Sequence, residues 1–191
     1  MDMTQPKGIT TPQGRFDYAV NIILKHEGRF TNDKDDPGGA TDYGISLRFL
    51  KSYGIDINDD GQINLEDIQD LDRDKACDIY RKYWWDMYGY NDIGHLLIAT
   101  KIFDMAVNMG AHQAHKLTQR ATNCLGYTLK VDGILGVKSK GEINEVCRNG
   151  RYEDLMCELI EEQISFYEDL VDAKPVLKKY LSGWKNRANS L

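Results

Sequence analysis

The stretch His26-Glu-Gly-Arg-Phe-Thr-Asn-Asp-Lys-Asp-Asp-Pro-Gly-Gly-Ala-Thr-Asp-Tyr-Gly-Ile-Ser46 runs from the end of one expected helix to the cap of the next. Upstream of it, Thr11 offers an N-cap and Pro12 suits a first helical position. Phe16, Ala19, Val20, Ile23 and Leu24 then recur at helical spacing. Gly28 is placed to end this helix in the left-handed conformation, which puts Glu27 in its last turn. A carboxylate there faces the negative end of the helix dipole, and partial burial in a cleft adds a desolvation cost to its charged form. Both effects favour the protonated acid, the form that donates to a departing sugar oxygen. Residues 30–45 are rich in turn formers and fit a small hairpin or irregular loop, the only plausible strand region. Asp33, Asp35, Asp36, Thr41 and Asp42 lie on this returning loop, where one of them could position water or stabilise an oxocarbenium-like centre. Periodicity alone also admits, and by itself favours, a plainer reading: a surface glutamate beside a solvated acidic turn.

Helical pattern dominates the rest. Ser46 caps a short helix that Gly54 stops, and Asp72 caps one carrying Ala76, Ile79, Tyr80, Tyr83 and Trp84. Another runs from about His95 to Met109, closed by Gly110, and further helices are expected at roughly 111–125, 137–149 and 151–171, with a last one ending near Arg187. The expected fold class is mainly α: a tail at 1–14, a helical catalytic lobe at 15–102 with the small hairpin region, and a helical lobe at 103–187 packed against it, as a monomer.

The chain has 191 residues, 41% of them hydrophobic, enough for an ordinary packed core. A net charge of -6 argues against nucleic acid or an anionic membrane as partner and leaves a neutral polymer open. No apolar run is long enough to insert stably in a membrane, and the N-terminus lacks the order of a signal peptide. The chain is therefore expected to be made in the cytoplasm and to reach any external target by another export route or by lysis. Cys77, Cys124, Cys147 and Cys157 show no metal-ligand spacing, and His112 and His115 share a helix face without a third ligand.

A second motif lies in Asp56-Ile-Asn-Asp-Asp-Gly-Gln-Ile-Asn-Leu-Glu-Asp67. Oxygen side chains stand at positions one, three and five, glycine at six, an apolar residue at eight and a carboxylate at twelve, the pattern of a calcium loop. Asp56, Asn58, Asp60 and Asp67 would supply side chains and Gln62 its carbonyl, holding a structural Ca2+; no cofactor is expected for catalysis. The loop resembles those of EF-hands and dockerins. Against it, the loop has no paired partner, and it reads otherwise as an acidic turn joining helices.

The quoted active segment resembles the signature of glycoside hydrolase family 108, bacterial and phage N-acetylmuramidases. That motif runs roughly His-Glu-Gly-Gly, Asn-Asp-Pro, Asp-Pro-Gly-Gly-Ala-Thr and Gly-Ile. Glu27 falls on the family's catalytic glutamate, and Ile79–Asp86, Phe103–Gly110 and Gly183–Arg187 fit the same family. Arg29 stands where a second glycine is usual and Lys34 where proline is usual. The resemblance implies a lysozyme-like fold and hydrolysis of the β-1,4 bond between N-acetylmuramic acid and N-acetylglucosamine in the peptidoglycan glycan strand. The spacing of the loop also resembles the active-site hairpin of phage-type lysozymes, which makes Asp36 and Thr41 the candidates for the opposite side of the bond. The alternatives are a non-catalytic wall-binding or secretion-assisting protein of the same fold, and a chitin or chitosan hydrolase.

Asp42 and Tyr43 on the hairpin are candidate substrate contacts. Asp104 and Asn108 stand four apart on one helix face, where they either line the sugar cleft or brace neighbouring helices. Trp84, Trp85, Tyr88 and Tyr90 offer stacking faces but at helical spacing read first as core. The stretch Leu117–Asn144 resembles small peptidoglycan-binding modules, with Gln119, Asp132, Gly133 and Gly136 carrying the likeness; the two glycines are expected to take positive φ in a stabilising turn.

Overall fold

The computed structural model describes residues 6–27 and 40–190. Within them are helices α1 (Pro12–His26), α2 (Leu47–Tyr53), α3 (Leu65–Gln69), α4 (Arg73–Tyr80), α5 (Leu96–Met109), α6 (Ala111–Cys124), α7 (Val137–Arg148), α8 (Tyr152–Ala173) and α9 (Lys178–Ala188) and a sheet of two strands, β1 (Thr41–Asp42) and β2 (Ile45–Ser46). The caps are those the sequence signals. The Thr11 Oγ1 accepts from Gly14 N, Ser46 from Phe49 N and Asp72 from Lys75 N. Gly54 ends α2 at φ 64°, the left-handed geometry glycine adopts without steric cost. Gly28, Asp33, Asp35 and Asp36 lie outside the described residues, as do Arg29 and Lys34.

Two compact units divide the chain at places other than the expected 102/103 boundary. One comprises residues 20–83, and the other the segment up to Ala19 together with 84 onward. The reason is α5, in which every residue from Leu96 to Ala106 is buried. A helix buried on every side must be surrounded, and here it is the core helix of the second unit, packed with α6 and α8. The first unit buries Val20, Ile23, Ile45, Leu50, Ile68, Ala76 and Tyr80.

The helix expected to run through Trp84 changes character instead. Arg81–Asp86 form a π-helical turn, whose extra residue makes Trp85, not Trp84, the fully buried indole. Trp85 meets Phe16, Phe103 and Tyr90 at ring distances of 5.9, 5.4 and 6.0 Å. Trp85 and Tyr90 are therefore core, out of reach of any sugar. Among the described residues no helix is long and apolar enough to cross a membrane.

In the second unit, Gln119 organises the turn before α7. Its Oε1 accepts from Gly133 N at 2.9 Å, and its Nε2 donates to Asp132 Oδ1 and Ile134 O. Gly133 takes φ 75°, and a Cβ there would stand 2.7 Å from His112 O, so backbone approach as well as φ demands glycine. Gly136 corrects the expectation: at φ -81° it is ordinary extended backbone preceding α7.

Beside that turn, His115 is buried between Tyr90 Oη at 2.9 Å and Gly133 O at 3.2 Å. Burial pushes its pKa down to about 4, the bond to Gly133 O only partly opposing it. Unfolded, it titrates near 6.5, so between those values the unfolded chain binds the extra proton. The stability it contributes is complete above 6.5 and lost as pH falls toward 4, about 3 kcal/mol for a shift of this size. Thermal melts across that window should slope steeply, and His115→Gln should flatten them; parallel curves would exclude His115 as the cause.

Candidate active site

The hairpin is built around a two-residue turn. Thr41 pairs with Ser46 and Asp42 with Ile45, leaving Tyr43 and Gly44 at the tip with φ 49° and 75°. Both positive values are what a type I′ turn requires, and Tyr43 pays a steric cost that glycine does not. Asp42 Oδ1 accepts from Tyr43 N at 2.9 Å, and Tyr80 Oη donates to Tyr43 O at 2.8 Å, so the strained residue is held from two sides. Such local strain is retained where surrounding structure over-determines it.

The glutamate meets this tip. Glu27 follows α1 directly, with its amide still donating to Ile23 O at 3.0 Å, and is partly exposed. A Cβ built on Gly44 would lie 2.4 Å from Glu27 Oε2 and 2.7 Å from Tyr80 Oη. Only a residue without a side chain permits that approach. Gly44 was not singled out as a site residue in the sequence, where it reads as ordinary turn punctuation; its closeness to Glu27 is a tertiary fact. Gly44→Ala combines a strained φ with a clash on the carboxylate, so any cleavage that depends on Glu27 should fall roughly a hundredfold, the scale of an ångström-sized misplacement. Turbidity assays with a parallel circular-dichroism melt check this; unchanged activity would mean that the carboxylate position is unimportant.

Of the other candidates, Thr41 stands in β1 and Asp42 is committed to its turn, while Asp36 lies outside the described residues. Asp104 is fully buried, and Arg187 binds it through Nη2 at 2.9 Å and Nε at 3.1 Å. Asn108 Oδ1 accepts from Tyr167 Oη at 2.5 Å. Of the two readings of this helix face, these contacts are those of braces tying α5 to α9 and α8; Asp104, without exposed surface, has none to offer a sugar. Sequence reasoning missed Lys101, buried on the same helix with its Nζ donating to Ala188 O at 2.5 Å and its pKa pushed by burial to about 8. A lysine inside an apolar run is the signal that pointed to it.

The 56–67 loop has the backbone of a tight acidic turn. Asp56 Oδ2 accepts from Gly61 N at 2.7 Å, Asn58 Oδ1 from Asp60 N at 3.1 Å and Asp60 Oδ1 from Gln62 N at 2.7 Å. Asp59 and Gly61 take φ 60° and 84°. Asp67 departs from the expected ligand role. It is buried and accepts from Ile57 N and Asn64 N, both at 2.7 Å, closing a capping box on α3. Burial opposes its ionisation, but the amides of Asn64, Ile57 and Asn58 outweigh that and hold the carboxyl below its ordinary range. Among the described residues no three His, Cys, Asp or Glu side chains group to hold a metal ion.

A small hairpin presenting a helix-end glutamate, within nine described helices, defines a mainly helical, lysozyme-like protein. The fold matches a solved structure described as "Structure of Brucella abortus SagA", with a TM-score of 0.69 and 23% identity over 92% of this chain and 94% of that one. No curated protein sequence matches. Residues 20–110 match the family described as glycosyl hydrolase 108, and residues 113–189 match one described as a predicted peptidoglycan domain. The chain thus carries a glycosyl hydrolase 108 segment followed by a segment similar to a predicted peptidoglycan domain.

Proposed function

We propose that the protein hydrolyses the β-1,4 bond between N-acetylmuramic acid and N-acetylglucosamine in peptidoglycan, with Glu27 protonating the leaving oxygen. The observation that carries this is the placement of the Glu27 carboxylate against the Cα of Gly44, at a hairpin tip braced by Tyr80. The family match supports a cell-wall glycosidase, and the C-terminal match supports the wall polymer as partner. Asp36 or Thr41 serves the opposite side of the bond in this reading. Such an enzyme would act on the wall after export or during lysis. Product analysis of peptidoglycan digested by the wild type is the test: new reducing ends at N-acetylmuramic acid support the reading. Intact glycan linkages after prolonged digestion, with the protein still sedimenting on the wall, would instead indicate a binding protein.

The loop at 56–67 takes a structural calcium ion in the same proposal, supported by the oxygen side chains at its positions one, three and five with glycine at six, and by Asp56 Oδ1, which is buried without a hydrogen-bond partner. Binding only to the folded chain would raise the melting temperature with the logarithm of free calcium. Melts in excess calcium and in chelator should differ, and Asp56→Ala should abolish the difference. Identical curves would leave the segment as a turn satisfied by its own amides.

A further inference from the structure

A cavity of about 490 Å3 in the second unit, within the size range of small-ligand sites, is lined on one side by Asp86, Met87, Tyr88, Gly89 and Asp92 and on the other by residues between His115 and Lys140. The first side falls in the glycosyl hydrolase segment and the second in the peptidoglycan-domain segment, so neither segment makes the cavity by itself. His115 is a rigid, buried part of the lining: both ring nitrogens are engaged, by Tyr90 and by Gly133, and Tyr88 stands edge-on to the ring at 5.0 Å. Lys140 is also spoken for, its Nζ lying 2.7 Å from Asp92 Oδ2 and 3.2 Å from Gly89 O. Asp86 is exposed and has no hydrogen-bonding or ion-pairing partner for its carboxylate among the described residues. Two carboxylates against one ammonium therefore leave the lining with one net negative charge. Alongside them stand apolar side chains open to solvent, Met87 at 50% and Ile134 at 66% exposure.

An apolar wall next to an unmatched carboxylate suits an alkyl chain that ends in a cation. The glycan strand of the wall offers no cation, because its sugars are N-acetylated and its lactyl carboxyls are anionic or amidated. The peptide stems do, through the second amino group of their diamino acid. We propose that this cavity binds that side chain, with its alkyl portion against Met87 and Ile134 and its ammonium at Asp86. The inference rests on the reading that the protein acts on peptidoglycan, and adds that the C-terminal region recognises the stem and not the sugar. An exposed ion pair and a short alkyl contact make a weak site, which repetition along a polymer turns into useful residence on the wall.

The test uses full-length protein carrying Glu27→Gln, so that the wall is not cut during binding. Co-sedimentation is measured with three preparations of sacculi: native, with stem amines acetylated, and with stems removed by an amidase. Binding to native sacculi should weaken by about two- to fivefold on acetylation or stem removal, the scale of one lost ionic contact. Asp86→Asn and Ile134→Ser, both at exposed positions, should weaken binding to native sacculi similarly, with unchanged melting temperatures showing that they fold. Equal binding to all three preparations, or to native sacculi by both variants and their parent, would overturn the inference while leaving peptidoglycan as the partner. Muropeptide release by the wild type is a separate measurement, so loss of the catalytic reading would be seen independently.

Discussion

Glu27→Gln is expected to lower peptidoglycan cleavage by at least about a hundredfold, the usual scale for loss of a general acid. Glutamine keeps the shape and much of the hydrogen bonding of the side chain but has no proton to transfer. The site is built to hold that side chain: the amide of Glu27 is anchored on Ile23 O, and the turn that faces it is held by Asp42 and Tyr80. Melting temperature should therefore move by no more than about 1 kcal/mol of stability, because a partly exposed isosteric exchange creates no cavity. The comparison with Gly44→Ala is informative. That variant keeps the proton but displaces the group, so both variants should lose cleavage, and the alanine should also lose stability through its strained φ of 75°. Full activity in the glutamine variant would end the assignment of Glu27.

Asp104→Ala should produce the largest loss of stability, about 3–5 kcal/mol, the range for removing one partner of a buried ion pair. Asp104 is completely buried, and the Arg187 side chain facing it is itself only 12% exposed. Lys101 feels both: Asp104 favours its charged form, and Arg187 together with burial opposes it. Removing the carboxylate thus leaves two neighbouring cations without their shared anion. The melting temperature should fall by roughly 10 °C for a chain of this length. Asp104→Ala with Arg187→Met should recover part of the loss, because the buried charge then goes with its partner. A drop below about 1 kcal/mol would show that Arg187 finds solvent easily and that the pair contributes little.

The sequence by itself determined what depends on neighbours along the chain. Thr11, Ser46 and Asp72 cap helices because a side-chain oxygen reaches an amide three residues on, and the Gly54 stop depends on one residue's φ. Glu27 at a helix end before an acidic, glycine-rich loop was likewise legible, while the hairpin or irregular loop expected within 30–45 forms as a hairpin at 41–46. The π-helical turn was not, because a helical repeat of 3.6 residues carries the stripe from Tyr80 to Trp84, and only packing against Phe16 and Phe103 selects Trp85. Asp104 and Arg187 lie far apart in sequence, so spacing showed that Asp104 and Asn108 share a face without showing what that face meets. Asp67 matched a ligand position by pattern, yet the fold turns its carboxylate onto two backbone amides, since a short side chain satisfies the nearest donors first. Gly44 is the plainest case: its turn conformation was readable locally, while the reason it must lack a side chain is Glu27, brought against it only when the chain folds back on α1.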